Sequence, residues 1–218
     1  MVEEPTGVRP TYTGPALEMG KTCINGPVVS VLRELFGSVI QPGMLILDYG
    51  AGRYARNADW LRERGVRVYA YDPFNETGGD GWELGSVSSQ PPTGPFDVGF
   101  TCYVLNVIPE YEEEKIVTLL RSLCARSFHV TRNRDIYTMV KAALRSWESP
   151  VTSFFLSTFA TAEDIQQFEA GTLLDSRVLD LAYFGVPTLK GFQRIPQLEA
   201  TGRGRVLHKA TGVKLYES

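Results

Sequence analysis

The chain has 218 residues, of which 43% are hydrophobic and 22% charged, and a formal net charge of -3 at pH 7. These values predict a globular protein with one core and exclude a general attraction to nucleic acids or anionic membranes. The three cysteines are an odd number without metal-binding spacing, no signal peptide is recognisable, and no apolar run approaches the roughly 20 residues that span a bilayer. We therefore expect a cytoplasmic protein without a disulfide framework or a metal site.

Residues 1–26 form a predicted N-terminal arm, because Pro, Gly and Thr are frequent there and apolar residues show no period. The arm contains Lys21, which would close over a functional site if the arm folds back. Residues 27–218 are predicted to form a single domain. It opens with a helix that begins near Pro27 and ends at Gly37, where a C-cap glycine is expected.

The most informative segment follows this helix. An apolar run ends on Asp48 and turns through Gly50 and Gly52. A helix is predicted over 54–64, and a second apolar run then ends on another acid, Asp72. This order of strand, glycine turn, helix, strand and acid is typical of half of a mononucleotide-binding sheet. The arginines that end the helix are expected to face water.

Strands and helices continue to alternate along the middle of the chain. The segment 75–95 is rich in Gly, Ser and Pro, with one short strand expected near 82–87. Strands are predicted at 96–100 and 127–131, separated by a helix over 110–124. The alternation predicts an α/β fold with a parallel sheet.

The regular alternation breaks down after residue 131. We expect a less regular insertion over 132–160, with a helix near 139–147, and a further helix that begins at Thr161. The chain ends in two apolar-alternating runs, 205–209 and 213–216, joined by a turn that contains glycine. This pattern predicts an antiparallel hairpin.

The glycine turn reads Gly50-Ala51-Gly52-Arg53-Tyr54-Ala55 and satisfies the pattern G-x-G-x-x-A, with Asp72 about 20 residues further on. That pattern is typical of a nicotinamide or flavin site. However, a dinucleotide places its pyrophosphate at the turn, where Asp48 would repel it. S-adenosylmethionine (SAM) carries no phosphate and presents a sulfonium cation and an ammonium group, which a carboxylate attracts. A turn without any ligand is the third interpretation.

The residues therefore favour SAM as the cofactor. We expect Asp48 to hold its amino end and the glycine turn to approach its methionine part. Asp72 would accept hydrogen bonds from the ribose, and the two residues after it would cover the adenine. The predicted SAM-binding residues are Asp48, Gly50, Ala51, Gly52, Asp72, Pro73, Phe74 and Tyr103.

Three motifs resemble those of class I SAM-dependent methyltransferases over about residues 25 to 218. They are Leu47-Asp48-Tyr49-Gly50-Ala51-Gly52, Tyr71-Asp72-Pro73 and Val104-Leu105-Asn106-Val107-Ile108. The resemblance implies a Rossmann-like fold with a mostly parallel seven-stranded sheet, helices on both faces and a C-terminal antiparallel hairpin. One departure is Tyr54, which stands where that family usually has a glycine or another small residue. Its ring would narrow or close the methionine end of the pocket.

A narrower resemblance is to uncharacterised methyltransferases of phages and of bacterial DNA-modification loci. It is carried by Gly20-Lys21-Thr22, Val104 to Pro109, Arg134-Asp135-Ile136 and Thr158-Phe159. It implies a phage-related enzyme and leaves the substrate open.

Methyl transfer is an in-line displacement that depends mainly on positioning, so few catalytic residues are expected. Tyr103 and Asn106 follow a strand end that should face the methyl group, and we predict that they orient the acceptor. The same stretch lacks the Asn/Asp-Pro-Pro-aromatic motif of exocyclic amine methylation. Cys102 lacks the preceding proline of cytosine C5 methylation, which favours a small buried thiol. His129 is expected to be a satisfied core histidine.

Basic residues are concentrated between Arg121 and Arg145. A solvated surface explains them, but an anionic acceptor approaching the end of a neighbouring strand is the alternative. We assign Lys21, Arg132 and Arg134 as candidate substrate contacts. The acceptor is then a nucleotide, a nucleic acid or a small molecule, and a membrane partner is not expected.

Two other functions stay open on the sequence. The first is a NAD-dependent oxidoreductase, because the glycine pattern also fits a dinucleotide. The second is a non-catalytic SAM-binding or scaffold protein, which Tyr54 in the glycine turn suggests.

Overall fold

The computed structural model describes residues 28, 30–108, 110–131, 134–158, 160–173, 177–178, 196, 205–210 and 213–218. Six strands form one sheet within these residues. The elements in chain order are α1 (Ser30–Leu35), β1 (Leu45–Tyr49), α2 (Arg56–Arg62), β2 (Arg67–Tyr71), β3 (Phe96–Cys102), α3 (Glu110–Leu123), β4 (Cys124–Thr131), α4 (Arg134–Ala143), α5 (Pro150–Thr158), α6 (Ala162–Glu169), β5 (Arg205–Ala210) and β6 (Val213–Glu217).

The sheet has the strand order β2-β1-β3-β4-β6-β5. Strands β1 to β4 run parallel to one another, and β6 runs antiparallel to both β4 and β5. The prediction of a mostly parallel α/β sheet with a C-terminal antiparallel hairpin is therefore confirmed. The prediction of seven strands is wrong, because the described residues form six.

The missing strand was expected near 82–87. Instead, this part of the chain runs along the free edge of β2 and makes a single parallel bridge, between Tyr71 and Ser88. Gly81 has φ 82°, and a Cβ there would lie 2.8 Å from Cε2 of Tyr69. The chain turns and approaches the sheet too closely at Gly81 for a regular strand to form.

Arg62 holds this edge segment in place. Its guanidinium donates hydrogen bonds to the carbonyls of Val68, Gly81 and Glu83 and pairs with Asp59 at 2.8 Å. The prediction that this arginine faces water is therefore wrong. Helical periodicity identifies only the helix face that carries the Cα atom of a residue. The long arginine side chain extends from that face back to the edge of the sheet.

Helices cover both faces of the sheet, as predicted. Helices α1 and α2 pack on one face through a cluster that includes Val31, Ala58 and Phe100. Helix α3 packs on the other face, where Leu120 joins a cluster with Tyr216. Leu215 belongs to the first cluster and Tyr216 to the second, because successive side chains of a strand point to opposite faces.

The arm, with Lys21, and Arg132 lie outside the described residues, so their predicted roles stay predictions. The predicted insertion contains α4 and α5. The predicted helix start at Thr161 is confirmed by a capping box, in which Thr161 Oγ1 accepts a hydrogen bond from the Asp164 amide at 3.1 Å and Asp164 accepts one from the Thr161 amide at 2.8 Å.

In the part of the chain that the structure describes, no helix is long and apolar enough to cross a bilayer. Nor do those residues include a group of three or more His, Cys, Asp or Glu that is placed to hold a metal ion.

Candidate functional site

The two predicted acids lie at the carboxyl ends of two neighbouring strands of the sheet. Tyr49, at the end of β1, pairs with Tyr71 in β2 and with Thr101 in β3, so the carboxyl ends of these three strands are level. Asp48 immediately precedes Tyr49, and Asp72 immediately follows Tyr71. Open parallel sheets bind ligands at this edge.

Asp48 is completely buried, with 0% exposure. Neither of its carboxylate oxygens accepts a hydrogen bond of normal geometry from the described residues, although the Ala58 amide is near enough to oppose the rise in its pKa. Burial raises the pKa of Asp48 to about 7, against the opposing charge of Arg62 and with a further increase from Asp72. A buried, unpartnered carboxylate is costly, which makes it a candidate for function.

The amides of the glycine turn are engaged within the protein. Those of Gly50 and Ala51 both donate to the Tyr71 carbonyl, at 2.7 and 2.9 Å. The Gly52 amide donates to Oδ2 of Asp72 at 3.1 Å. None of these three N–H groups is therefore left to point at a phosphate.

Asp72 is buried and ties the turn to the loop that follows β2. Besides the Gly52 amide, it accepts a hydrogen bond from the Phe74 amide through Oδ1 at 3.0 Å. Pro73 and Phe74 are both exposed beside it. The structure thus places Asp72 next to the glycine turn, with Pro73 and Phe74 directly after it in the chain, and their role in SAM binding stays a prediction.

Gly50 is required for a reason that the motif did not predict. It has φ 78°, and a Cβ there would lie 2.4 Å from Cγ2 of Val104. The turn after β3 therefore packs directly on the glycine turn. Ala55, which precedes α2, also has a left-handed backbone, with φ 47°.

Tyr54 is 44% exposed. The guanidinium carbons of Arg53 and Arg56 lie 5.6 and 5.7 Å from the centre of its ring. The sequence suggested no role for these two arginines, and neither forms an ion pair within the described residues. The signal that would have found them is their position on either side of the one bulky residue in the turn.

Tyr103 follows β3 in a left-handed conformation, with φ 59°, and its amide donates to the Val130 carbonyl at 2.8 Å. Such strain in a residue other than glycine is concentrated at functional sites. Asn106 is only 1% exposed. Its burial suits support of the turn more than direct contact with an acceptor.

Two predicted core residues are where the sequence placed them. Cys102 is buried, and burial raises the pKa of its thiol above the ordinary value, which opposes a nucleophilic role. His129 contacts Thr101 Oγ1 at 3.0 Å and Ser218 Oγ at 2.9 Å. Burial, with the charge of Arg121, lowers the pKa of His129 to about 3, so the ring is neutral. His129 is the satisfied core histidine that we expected.

The basic stretch does not form one surface. Arg121 ends α3 and Arg126 lies near the start of β4, at the opposite edge of the sheet from the glycine turn. Arg126 is also paired with Glu217 at 2.5 Å. Arg134 begins α4, beyond the carboxyl end of β4. Arg121 and Arg126 are therefore separated from the site by the length of the strands.

No protein-family model matches the chain, and no curated protein matches it. Among solved structures, one from Rhodobacter sphaeroides, described as a candidate Zn-dependent alcohol dehydrogenase, is 14% identical, covers 88% of this chain and 90% of its own, and has a TM-score of 0.51. This similarity supports the fold and, at such low identity, no particular activity.

Two further structures contain SAM or SAH. Magnesium protoporphyrin IX methyltransferase from Synechocystis PCC 6803 with bound SAH is 14% identical, covers 86% of this chain and 78% of its own, and has a TM-score of 0.46. The DhpI–SAM–HEP complex is 15% identical, with coverage of 79% and 77% and a TM-score of 0.41. Scores below 0.5 do not establish a common fold.

Proposed function

We propose that the chain is a SAM-dependent methyltransferase with a Rossmann-like α/β fold. The observation that carries this proposal is the buried carboxylate of Asp48 beside a glycine turn, for which the described part of the chain supplies no hydrogen-bond donor of normal geometry. A carboxylate in surroundings of low dielectric constant attracts a positively charged ligand and repels a phosphorylated one. SAM offers such a ligand, with a sulfonium and an ammonium group and no phosphate.

The hydrogen bonds of the turn support the same choice. A diphosphate needs free backbone N–H groups at the start of the helix. Here the amides of Gly50, Ala51 and Gly52 already donate to the Tyr71 carbonyl and to Asp72. This disfavours the dinucleotide interpretation, and with it a NAD-dependent oxidoreductase.

The residues present fit SAM in the following arrangement. Asp48 has no exposed surface, so we expect its field to act on the cationic end of SAM across the turn rather than by direct contact. Asp72 would bind the ribose hydroxyls while it holds the turn. Phe74, exposed after Pro73, would cover the adenine.

Bound SAM supplies an activated methyl group, and the protein supplies position. The methyl acceptor would approach over Tyr103, whose strained backbone fixes the turn after β3. Asn106 would support that turn from below. A general base is required only for an acceptor that carries a proton when it attacks.

We further propose that the acceptor is anionic and carries phosphate. Arg53 and Arg56 are exposed beside the glycine turn and present two charges on either side of Tyr54.

Replacing both arginines by glutamine should weaken binding of a single-stranded oligonucleotide to the SAH-saturated protein about tenfold at low salt. Arg67→Gln is the control, because Arg67 is exposed at the amino end of β2. Equal affinities for all three proteins would contradict an anionic acceptor at this position. The phage and DNA-modification association stays a prediction.

The choice of cofactor is tested by calorimetric titration of the purified chain with SAM and with NAD. We expect micromolar binding of SAM and no measurable binding of NAD. 5′-Methylthioadenosine, which keeps the adenosine but lacks both positive charges, should bind more weakly than SAM. Binding of NAD alone would replace this proposal with the oxidoreductase. A folded protein that binds neither would support a scaffold.

A further inference from the structure

A second pocket lies between the free edge of β2 and the segment that runs beside it. Its volume is about 340 Å³. This is within the lower range of pockets that bind small molecules. The lining residues are Tyr69, Gly79, Asp80, Trp82, Ser88, Gln90, Pro91, Thr93 and Phe96.

Three aromatic side chains form one side of this pocket. The ring of Tyr69 lies 4.9 Å from that of Trp82, tilted by 48°, and 6.4 Å from that of Phe96. The Tyr69 hydroxyl donates to the Gln90 carbonyl at 2.8 Å, which fixes the ring. Tyr69 and Phe96 are buried, whereas Trp82 is 41% exposed. A large indole left open beside two fixed rings is a surface on which a ligand can pack.

Asp80 places a carboxylate in the same pocket. Its Oδ1 accepts hydrogen bonds from the amides of Trp82 and Glu83 and from Ser86 Oγ, at 2.8, 3.3 and 2.8 Å. These hydrogen bonds lower the pKa of Asp80, and the bond from the Trp82 amide has the largest effect. The carboxyl group of Asp80 is therefore ionised at neutral pH. Its Oδ2 accepts no hydrogen bond from the described residues.

No basic residue among the described residues lines the pocket. Arg62 is close enough to act on Asp80, but its guanidinium is paired with Asp59 at 2.8 Å and bound to backbone carbonyls. The pocket therefore combines aromatic rings with a fixed negative charge.

The pocket begins beside the proposed SAM site, because its Ser88 carbonyl accepts a hydrogen bond from the Asp72 amide at 3.0 Å. None of the predicted SAM-binding residues lines it. Phe96 is the first residue of β3 and so lies at the amino end of the strands, six residues before Cys102 at the carboxyl end. At about 3.3 Å per residue, the pocket thus extends along the sheet from Ser88, at the carboxyl end of β2, to Phe96, roughly 20 Å from the carboxyl end of β3.

We propose that this pocket binds an organic cation of the alkylated ammonium class. Aromatic faces attract such cations through the ring quadrupole, and tryptophan does so most strongly. The methyl groups of an alkylated ammonium pack on the rings, while Asp80 balances the charge. A phosphate or carboxylate ligand would be repelled by Asp80, and a neutral apolar ligand would gain nothing from it.

The test is a titration of the full chain in the presence of saturating SAH. The two ligands are choline and its neutral isostere, 3,3-dimethylbutan-1-ol, and ligand-observed NMR measures their binding. Choline should bind with a millimolar dissociation constant, about tenfold more tightly than the neutral isostere. Asp80→Asn should remove most of this preference. Asn retains the Oδ1 acceptor for the three hydrogen bonds of the turn, so the variant changes the charge and leaves the fold.

Trp82→Ala should abolish choline binding, and Trp82→Phe should leave an intermediate affinity, because a phenyl ring is a weaker cation acceptor. Trp147→Ala is the matched control, since Trp147 is also exposed and packs on a different aromatic, Phe168, at 4.7 Å. Equal binding of choline and its isostere, an unchanged affinity in Trp82→Ala and Trp82→Phe, or the same loss in Trp147→Ala would overturn the proposal. So would the absence of choline binding to the wild-type chain.

Discussion

Asp48→Asn should make the protein more stable at pH 8 while it loses affinity for SAM. The pKa of Asp48 is raised from 3.8 to about 7, so the folded state disfavours the ionised carboxylate. That destabilisation is absent below the unfolded pKa, grows as pH rises and is complete above about 7. The full shift corresponds to at most about 4 kcal/mol. We expect a gain of roughly 2 kcal/mol in the variant, because the Asn amide is itself left without a partner.

The stability difference is measured by urea denaturation of both proteins at pH 5 and at pH 8. At each pH, the free energy of unfolding of the wild type is subtracted from that of the variant. The subtraction is needed because His129 changes the stability of both proteins with pH in the direction opposite to Asp48. Its pKa is lowered to about 3, so the stability it contributes is lost as pH falls from about 6.5. Glu76→Gln, which removes an exposed carboxylate, is the control. An Asp48→Asn protein that is less stable than wild type at pH 8 would contradict this account.

The same substitution should weaken SAM binding by about 10- to 30-fold at pH 8. A unit charge about 8 Å away in an effective dielectric of about 20 contributes about 2 kcal/mol. Affinity for 5′-methylthioadenosine, which is uncharged, should change little. A variant that loses both ligands equally would show that Asp48 shapes the pocket rather than attracting charge.

Gly50→Ala should destabilise the protein by about 3 kcal/mol or more, the sum of a left-handed backbone and a steric overlap. Gly50 has φ 78°, and the new Cβ would lie 2.4 Å from Cγ2 of Val104. Either the glycine turn or the turn after β3 must then move. Because both turns belong to the proposed site, SAM binding should be lost together with stability. Chemical denaturation and calorimetry measure the two effects.

Two matched variants separate the backbone from the overlap. Gly43 has φ 85°, and a Cβ there would have nothing within 4 Å, so Gly43→Ala should lose only about 1 kcal/mol. Val104→Ala removes the overlapping methyl group, and the double variant Gly50→Ala/Val104→Ala should recover about 1 to 2 kcal/mol relative to additivity. Strictly additive losses would mean that Val104 does not determine the need for glycine.

Local patterns predicted most of the sheet. Apolar runs that end on an acid identified β1 and β2, because buried parallel strands have continuous hydrophobic sequences and their ends face the ligand edge. Thr161 and its acid three residues later identified the start of α6, since a capping box is formed by residues that are close in sequence. The hairpin was predicted from a glycine turn between two alternating runs.

The errors concern contacts between residues that are distant in sequence. The expected strand near 82–87 is replaced by a bent edge segment, because Gly81 approaches Tyr69 and Arg62 donates hydrogen bonds to the carbonyls of Val68 and Gly81. No local pattern encodes where a long arginine side chain ends. The packing of Val104 on Gly50 also joins two turns that are far apart in the chain, so the glycine motif did not predict that a side chain contributes to the need for glycine at position 50.

The candidate site was only partly predicted, because some of its contacts also join residues that are distant in sequence. Asp48 lies near the end of β1 and Asp72 follows β2, and both were identified from the order of strand, glycine turn, helix and strand. The engagement of the three turn amides depends on the Tyr71 carbonyl and the Asp72 side chain in the neighbouring strand and loop. The aromatic pocket depends on Tyr69, Trp82 and Phe96, which only the folded edge brings together.

Proton release on SAM binding shows whether the Asp48 carboxylate attracts the positive charge of the ligand. SAM is titrated calorimetrically at pH 6, where its own amine is fully protonated, in two buffers of different ionisation enthalpy. With the pKa of Asp48 at about 7 in the free protein, the 10- to 30-fold coupling to SAM predicts release of about 0.4 to 0.7 proton on binding at pH 6. Asp48→Asn should release none. Binding of SAM to the wild-type chain without proton release, or with proton uptake, would contradict the account.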